Sequence, residues 1–264
     1  MTSGWAEKMS KLDKAYHLRT LPVAVKLFEK AEDLEKIEGL KKMRVEQTIC
    51  QRISAVRMFG FATSVTAKDT PPWCSYIIGL CEIDPDTENG WLTTDVWCET
   101  QEDAKKRQDY FPMIPPKFEA AVFAPVEQEV VEPDVILIYG DSLQITMMLS
   151  ALCYKDYERF EFIFTGGSSC AVSIARTYLT DKPQLSLPDF GERRYGHAQA
   201  DELTIGLPPR YIDKMIAGTE FLRKTGGIYY PAPFSATQYA TYPAWPRKYR
   251  DYWDRVKKKK GWDS

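Results

Sequence analysis

Two stretches near the middle of the chain are almost unbroken in apolar residues: Ala120–Val126 (AAVFAPV) and Asp134–Gly140 (DVILIYG). Short continuous runs of this kind predict strands covered on both faces. Elsewhere the pattern changes period. Residues 5–19 read as an amphipathic helix, and Pro22–Glu29 is a β-branched run that predicts a strand. Residues 31–43 are charge-rich and predict a surface helix or loop. In Val45–Phe59 a helical stripe carries Val45, Ile49, Ile53 and Val56, with Cys50 beside it. A double proline at Pro71 ends regular structure before WCSYIIGL. Trp91–Glu99 alternates as a strand does, and Glu102–Tyr110 predicts a short charged helix broken by FPMIPP.

After Gly140, Asp141 or Ser142 is placed to cap the helix DSLQITMMLSALCY. The run FEFIFTGG then leads into SCAVSIARTYL, with Ser168 or Ser169 as the cap. Repetition of strand, tight turn and helix predicts an α/β fold, a layered mixed sheet with flanking helices. A strand in ADELTIGLP and a helix over about Pro209–Lys224 complete it. The chain therefore divides into an α/β domain, residues 1–225, and an extension, residues 226–264, crowded with aromatics and proline. That extension predicts no regular helix before about Arg247. It would wrap the domain, wall a ligand, or dock a second copy or a partner subunit.

Composition narrows the function classes. The 264 residues are 44% hydrophobic and 27% charged with a formal charge of -2, as in an ordinary globular protein. That balance argues against nucleic acid as a partner, and the basic run Arg255–Lys260 reads as a solvated end. No run of about 18 apolar residues predicts a membrane span. The polar N-terminus lacks the apolar stretch of a secretory leader, so the expected location is cytoplasmic. In a reducing compartment the six cysteines are buried thiols, catalytic thiols or metal ligands.

Cys170 follows the turn GGSS at the start of a predicted helix. Unpaired N–H groups there favour negative charge, lower a thiol's pKa and make it a better nucleophile or ligand. A small residue packed into a strand–helix turn is the plainer reading. With Cys50 and Cys74 it makes three thiols that could converge in space. Three thiolates suit a [4Fe-4S] cluster with one open iron, and zinc is the second choice. Cys81 lies seven residues after Cys74, too far on a helix to share one ion readily, and Cys98 and Cys153 read as packing residues. No CxxC pair occurs. GERRYGH, Gly191–His197, predicts a glycine-bounded loop with catalytic candidates: Arg193 to clamp an anion, Tyr195 and His197 to move protons. A polar surface loop is the alternative.

Four pieces together resemble the DUF169 family of cytosolic proteins from anaerobic bacteria and archaea. They are LPVAVKLF with Ile49-Cys50-Gln51, WCSYIIGL, the pair FAPV and EPDVILIYGDSLQ, and GGSSCAVSIARTYLTDKPQLSL, spanning roughly Leu21 to Pro209. Where the family places glycine–cysteine–x–glycine–cysteine–arginine, this chain reads LPDFGER, with Asp189 and Glu192 in place of the two cysteines. The resemblance implies that a cysteine-rich site of other members is altered here.

The resulting expectation is an iron–sulfur, or other thiolate-bound metal, enzyme of anaerobic metabolism. It would perform lyase or hydratase chemistry on a small molecule, an aromatic one being among the options. A cofactor-free cysteine enzyme and a non-catalytic accessory subunit are the alternatives.

Overall fold

The computed structural model of this chain describes residues 4–41, 43, 45–228 and 247–261. The sheet has strands β1 (Val23–Phe28), β2 (Thr63–Thr66), β3 (Ala120–Pro125), β4 (Val135–Asp141), β5 (Gln184–Ser186) and β6 (Glu202–Leu207). Their spatial order is β2-β3-β1-β4-β6-β5, and every pairing is antiparallel. The helices are α1 (Trp5–Tyr16), α2 (Ile49–Phe59), α3 (Pro72–Ile77), α4 (Pro85–Glu88), α5 (Gln101–Tyr110), α6 (Ser142–Leu152), α7 (Thr177–Thr180), α8 (Phe190–Tyr195), α9 (Tyr211–Thr225) and α10 (Arg247–Lys260). A π-helical turn, Ala171–Arg176, runs straight into α7. The α/β layering expected from the apolar pattern is present, with the sheet antiparallel throughout and not mixed.

β3 is buried at every position and β4 at all but its last, which explains their lack of alternation. The alternation survives as three separate clusters, the smallest around Ala62, Val122 and Ala124. Val25, Leu27, Leu137 and Tyr139 point to one face, where Ile53 and Val56 of α2, Ile77 of α3 and Ile174 of the π turn pack on them. Ala24, Ile136, Ile138 and Ile205 point to the other, against Leu12 of α1, Met148 of α6 and Met215 of α9. Successive strand side chains face opposite ways, so each core draws on every second residue.

Local caps fix the helix starts. Thr48 and Gln51 form a reciprocal capping box on α2, with Gln51 N–H donating to Thr48 Oγ1 at 3.2 Å and Thr48 N–H to Gln51 Oε1 at 2.9 Å. Asp141 and Gln144 repeat the device on α6. Gln144 also donates to the carbonyls of Tyr16 and His17 at 2.8 and 2.9 Å, tying α1 to α6.

Three expectations do not hold. Trp91–Glu99 is a 3-10 turn, Trp91–Thr93, followed by an irregular stretch, because Thr94 Oγ1 bonds back to the Gly90 carbonyl and Asp95 adopts φ 59°. Phe160–Gly167 is irregular, since the strands it would join are already paired on both sides, β4 by β1 and β6. GERRYGH is mostly helix α8, capped by Asp189, whose carboxylate accepts the Glu192 N–H at 2.7 Å. The aromatic extension falls largely on residues 229–246, outside the described residues.

Candidate functional site

Cys50, Cys74 and Cys170 arrive on the same face of the sheet from three separate elements. Cys50 lies in the first turn of α2, where the Thr48–Gln51 box leaves it the position between two fixed residues. Cys74 sits in α3, whose proline start at Pro72 ends the preceding extended segment. Cys170 begins the helical segment that passes through the π turn, and it shares a core with Cys74. The end of α8 closes the group: a Cβ on Gly196 would stand 3.1 Å from the Cys50 Cβ. Each thiol lies within the electrostatic reach of another, so that ionising one opposes ionising the next.

Burial dominates these thiols. It pushes Cys50 and Cys170 well above the ordinary value of 9.0, and neighbouring thiols and the carboxylates of Glu192 and Asp189 add to the shift. Cys74 is also raised by burial, opposed by hydrogen bonds from the Ile49 backbone and the Thr70 side chain. The expected lowering of the Cys170 pKa at a helix start is therefore outweighed by loss of water.

The carboxylates of Asp189 and Glu192 are held firmly. Asp189 accepts the Ser169 N–H at 2.8 Å and so caps the Cys170 segment from another element, the office expected of Ser168 or Ser169. Glu192 is buried and accepts hydrogen bonds from the Tyr139 and Ser169 hydroxyls. Burial raises its pKa, and those two hydrogen bonds resist the rise. Behind Tyr139, Arg57 lies 4.1 Å from the ring centre and grips Glu202 through two bonds of 3.0 and 3.1 Å. Arg57 also donates to the His197 carbonyl at 2.9 Å, fixing the chain that leaves α8.

Beside the thiols is a cavity of about 340 Å³, walled by Trp73, Tyr76, Leu92, Trp97, Phe111 and Met113. Asp189, Gly167 and Ser168 contribute the side adjoining the thiol group, and Arg107 of α5 enters as the one cationic lining residue among the described residues. Arg107 was not foreseen. Its helix reads QEDAKKRQDY, in which nothing distinguishes it from the neighbouring solvated charges. Arg57, Tyr139 and Glu202 were likewise missed, since no local signal marks partners so far apart in the chain.

The catalytic candidates of the 191–197 segment do not line this cavity. Arg193 donates to the Gln199 carbonyl, while Tyr195 and His197 are exposed on a separate shallow groove with Gln51 and Phe59. Cys98 lies in an irregular stretch, and Cys153 ends α6 with its sulfur 3.5 Å from the Glu158 carbonyl.

The suitability of the thiols for a metal centre rests on chemistry and spacing. Among the described residues no three His, Cys, Asp or Glu side chains are grouped to hold one metal ion. A single zinc needs sulfurs within about 2.3 Å of one point, so the side chains as they stand do not fit it. The donor set is of the soft, thiolate kind that iron–sulfur clusters take, and a cluster spreads its ligands farther apart than one ion does.

A family profile described as DUF169, Uncharacterised ArCR, COG2043, matches residues 11–218. The chain belongs to this family. It is also similar to Uncharacterized protein MJ0308 of Methanocaldococcus jannaschii, 27% identical over 206 residues, which is 76% of this chain and 88% of that one. No solved structure matches. The DUF169 match takes in all three thiols, Asp189, Glu192 and Arg107, and ends within α9. Among the described residues no helix is long and apolar enough to cross a membrane.

Proposed function

We propose that this DUF169 protein is an iron–sulfur enzyme in which Cys50, Cys74 and Cys170 hold a cluster at the inner end of the aromatic cavity. The observation that supports the reading is that three thiols distant in sequence lie within one another's electrostatic reach, with Asp189 both acting on them and lining the ligand-sized chamber. As free thiols they are poor nucleophiles, because burial holds the proton on each sulfur. A bound cationic centre would reverse that preference, since metal ligation requires the thiolate. The same point disfavours a cofactor-free cysteine enzyme.

When bound, a three-thiolate cluster supplies an open iron that acts as a Lewis acid, suited to adding or removing water without net redox. The chain's own residues bind and orient the substrate. The aromatic walls exclude water, Arg107 supplies positive charge, and Asp189 is fixed by backbone N–H groups at the border between chamber and thiols. Tyr139 and Ser169 hold Glu192 in place among the thiols.

The test is anaerobic purification or reconstitution followed by iron and sulfide analysis and absorption near 400 nm. Wild type should carry iron and sulfide together, and Cys50→Ser, Cys74→Ser and Cys170→Ser should each lose most of both. Cys153→Ser should retain them. Wild type without iron, sulfide or the absorption band overturns the reading.

A further inference from the structure

Arg107 is half-buried, and among the described residues no acceptor hydrogen-bonds to its guanidinium; Asp189 reaches it only through its field. Its contacts are aromatic and backbone. The guanidinium carbon is 4.6 Å from the Phe111 ring centre and 5.7 Å from that of Trp97. On the opposite side it presses on Gly167, where a Cβ would come within 2.6 Å of Nη2. A cation removed from part of its water and given no acceptor is costly unless a ligand supplies one. Each oxygen of the chamber's carboxylate, Asp189, already accepts a backbone N–H, from Ser169 or Glu192, so its charge is felt at Arg107 while the guanidinium N–H groups stay open to a ligand.

The walls state the other half of the requirement. Trp73, Tyr76, Trp97 and Phe111 give flat apolar surface, and the volume of about 340 Å³ lies at the small end of ligand pockets. Planar guanidinium matches planar carboxylate through two parallel N–H···O bonds. Aromatic faces match an aromatic ring. We infer that the chamber takes a small planar aromatic carboxylate, with its ring on the aromatic walls and its carboxylate on Arg107. The inference rests on the cavity as the substrate chamber of the proposed enzyme and names the substrate class.

Calorimetric titration of the full-length protein with 2-naphthoate, 2-naphthamide and cyclohexanecarboxylate tests it. Wild type should bind 2-naphthoate saturably, and at least tenfold more tightly than either the neutral amide or the non-aromatic acid. Arg107→Gln should weaken 2-naphthoate at least tenfold while leaving the weak amide binding unchanged, and Arg107→Lys should fall between. Equal affinity for naphthoate and naphthamide in wild type overturns the inference even if no Arg107 variant folds. So does no naphthoate binding at millimolar concentration, or an unchanged Kd in folded Arg107→Gln. Iron and sulfide content, measured on the same samples, reports separately on the thiols. A cluster-free protein that binds naphthoate sinks the cluster and keeps the ligand, and a cluster-bearing protein that ignores naphthoate does the reverse.

Discussion

Removing one member of the Arg57–Glu202 pair should be far more damaging than removing both. Both side chains are almost fully enclosed, at 1% and 2% exposure, and they meet through bonds of 3.0 and 3.1 Å. At an effective dielectric of about 20, unit charges about 3 Å apart attract by about 5 kcal/mol. Desolvation offsets much of that, so the intact pair contributes little net stability. Arg57→Met, however, leaves Glu202 buried with only the Gln199 N–H, 2.7 Å away, as partner. Glu202→Met leaves the Arg57 charge resting on the His197 and Gly196 carbonyls and the Thr20 hydroxyl. Each single change should cost about 3–5 kcal/mol, and the double Arg57→Met/Glu202→Met should cost no more than either. Urea unfolding followed by far-UV circular dichroism measures all three, with constant slopes as the check on two-state behaviour. Single variants within about 1 kcal/mol of wild type, or a double equal to the sum of its parts, would refute the reasoning.

Three further outcomes are expected. Gly206→Ala should destabilise by several kcal/mol in thermal or urea unfolding, because the new Cβ would fall 1.9 Å from the Ser173 carbonyl oxygen, backbone that cannot swing aside. Tyr16, buried and bonded to Thr219, has its pKa pushed up by burial to about 12 from 10.0. Its contribution is full below pH 10 and is lost as pH rises towards 12, so the wild-type urea midpoint should drop between pH 9 and pH 11.5, and Tyr16→Phe should flatten that drop. In metal-free protein, iodoacetamide should modify Cys50, Cys74 and Cys170 slowly at pH 8 and faster above pH 9, since burial raises all three. Rapid modification of Cys170 at pH 7, read by peptide mass spectrometry, would contradict the stated balance of burial over helix field.

Much of the frame is legible along the chain because its causes are local. β3 and β4 announce themselves as unbroken apolar runs, and Asp141 with Gln144 marks the start of α6 by a side-chain exchange three residues long. The same reading fails at Trp91–Glu99, where alternation is present but no neighbouring strand is available to pair with it. It also fails at Gly191–His197, where a six-residue helix depends on a cap and a tertiary contact with α2 more than on its own pattern.

By itself the chain determined its elements, their apolar faces and which thiols were placed at element boundaries. Only the tertiary structure decided that the thiols of Cys50, Cys74 and Cys170 share one field, because antiparallel pairing in a non-sequential strand order brings α2, α3 and the π-turn segment onto the same face. It alone decided that Arg107, one charge among many on a short helix, turns inward to a chamber while Arg193 bonds an exposed loop. The physical reason is range: caps and periodicity act over a few residues, whereas burial and charge are set by whatever the sheet carries alongside.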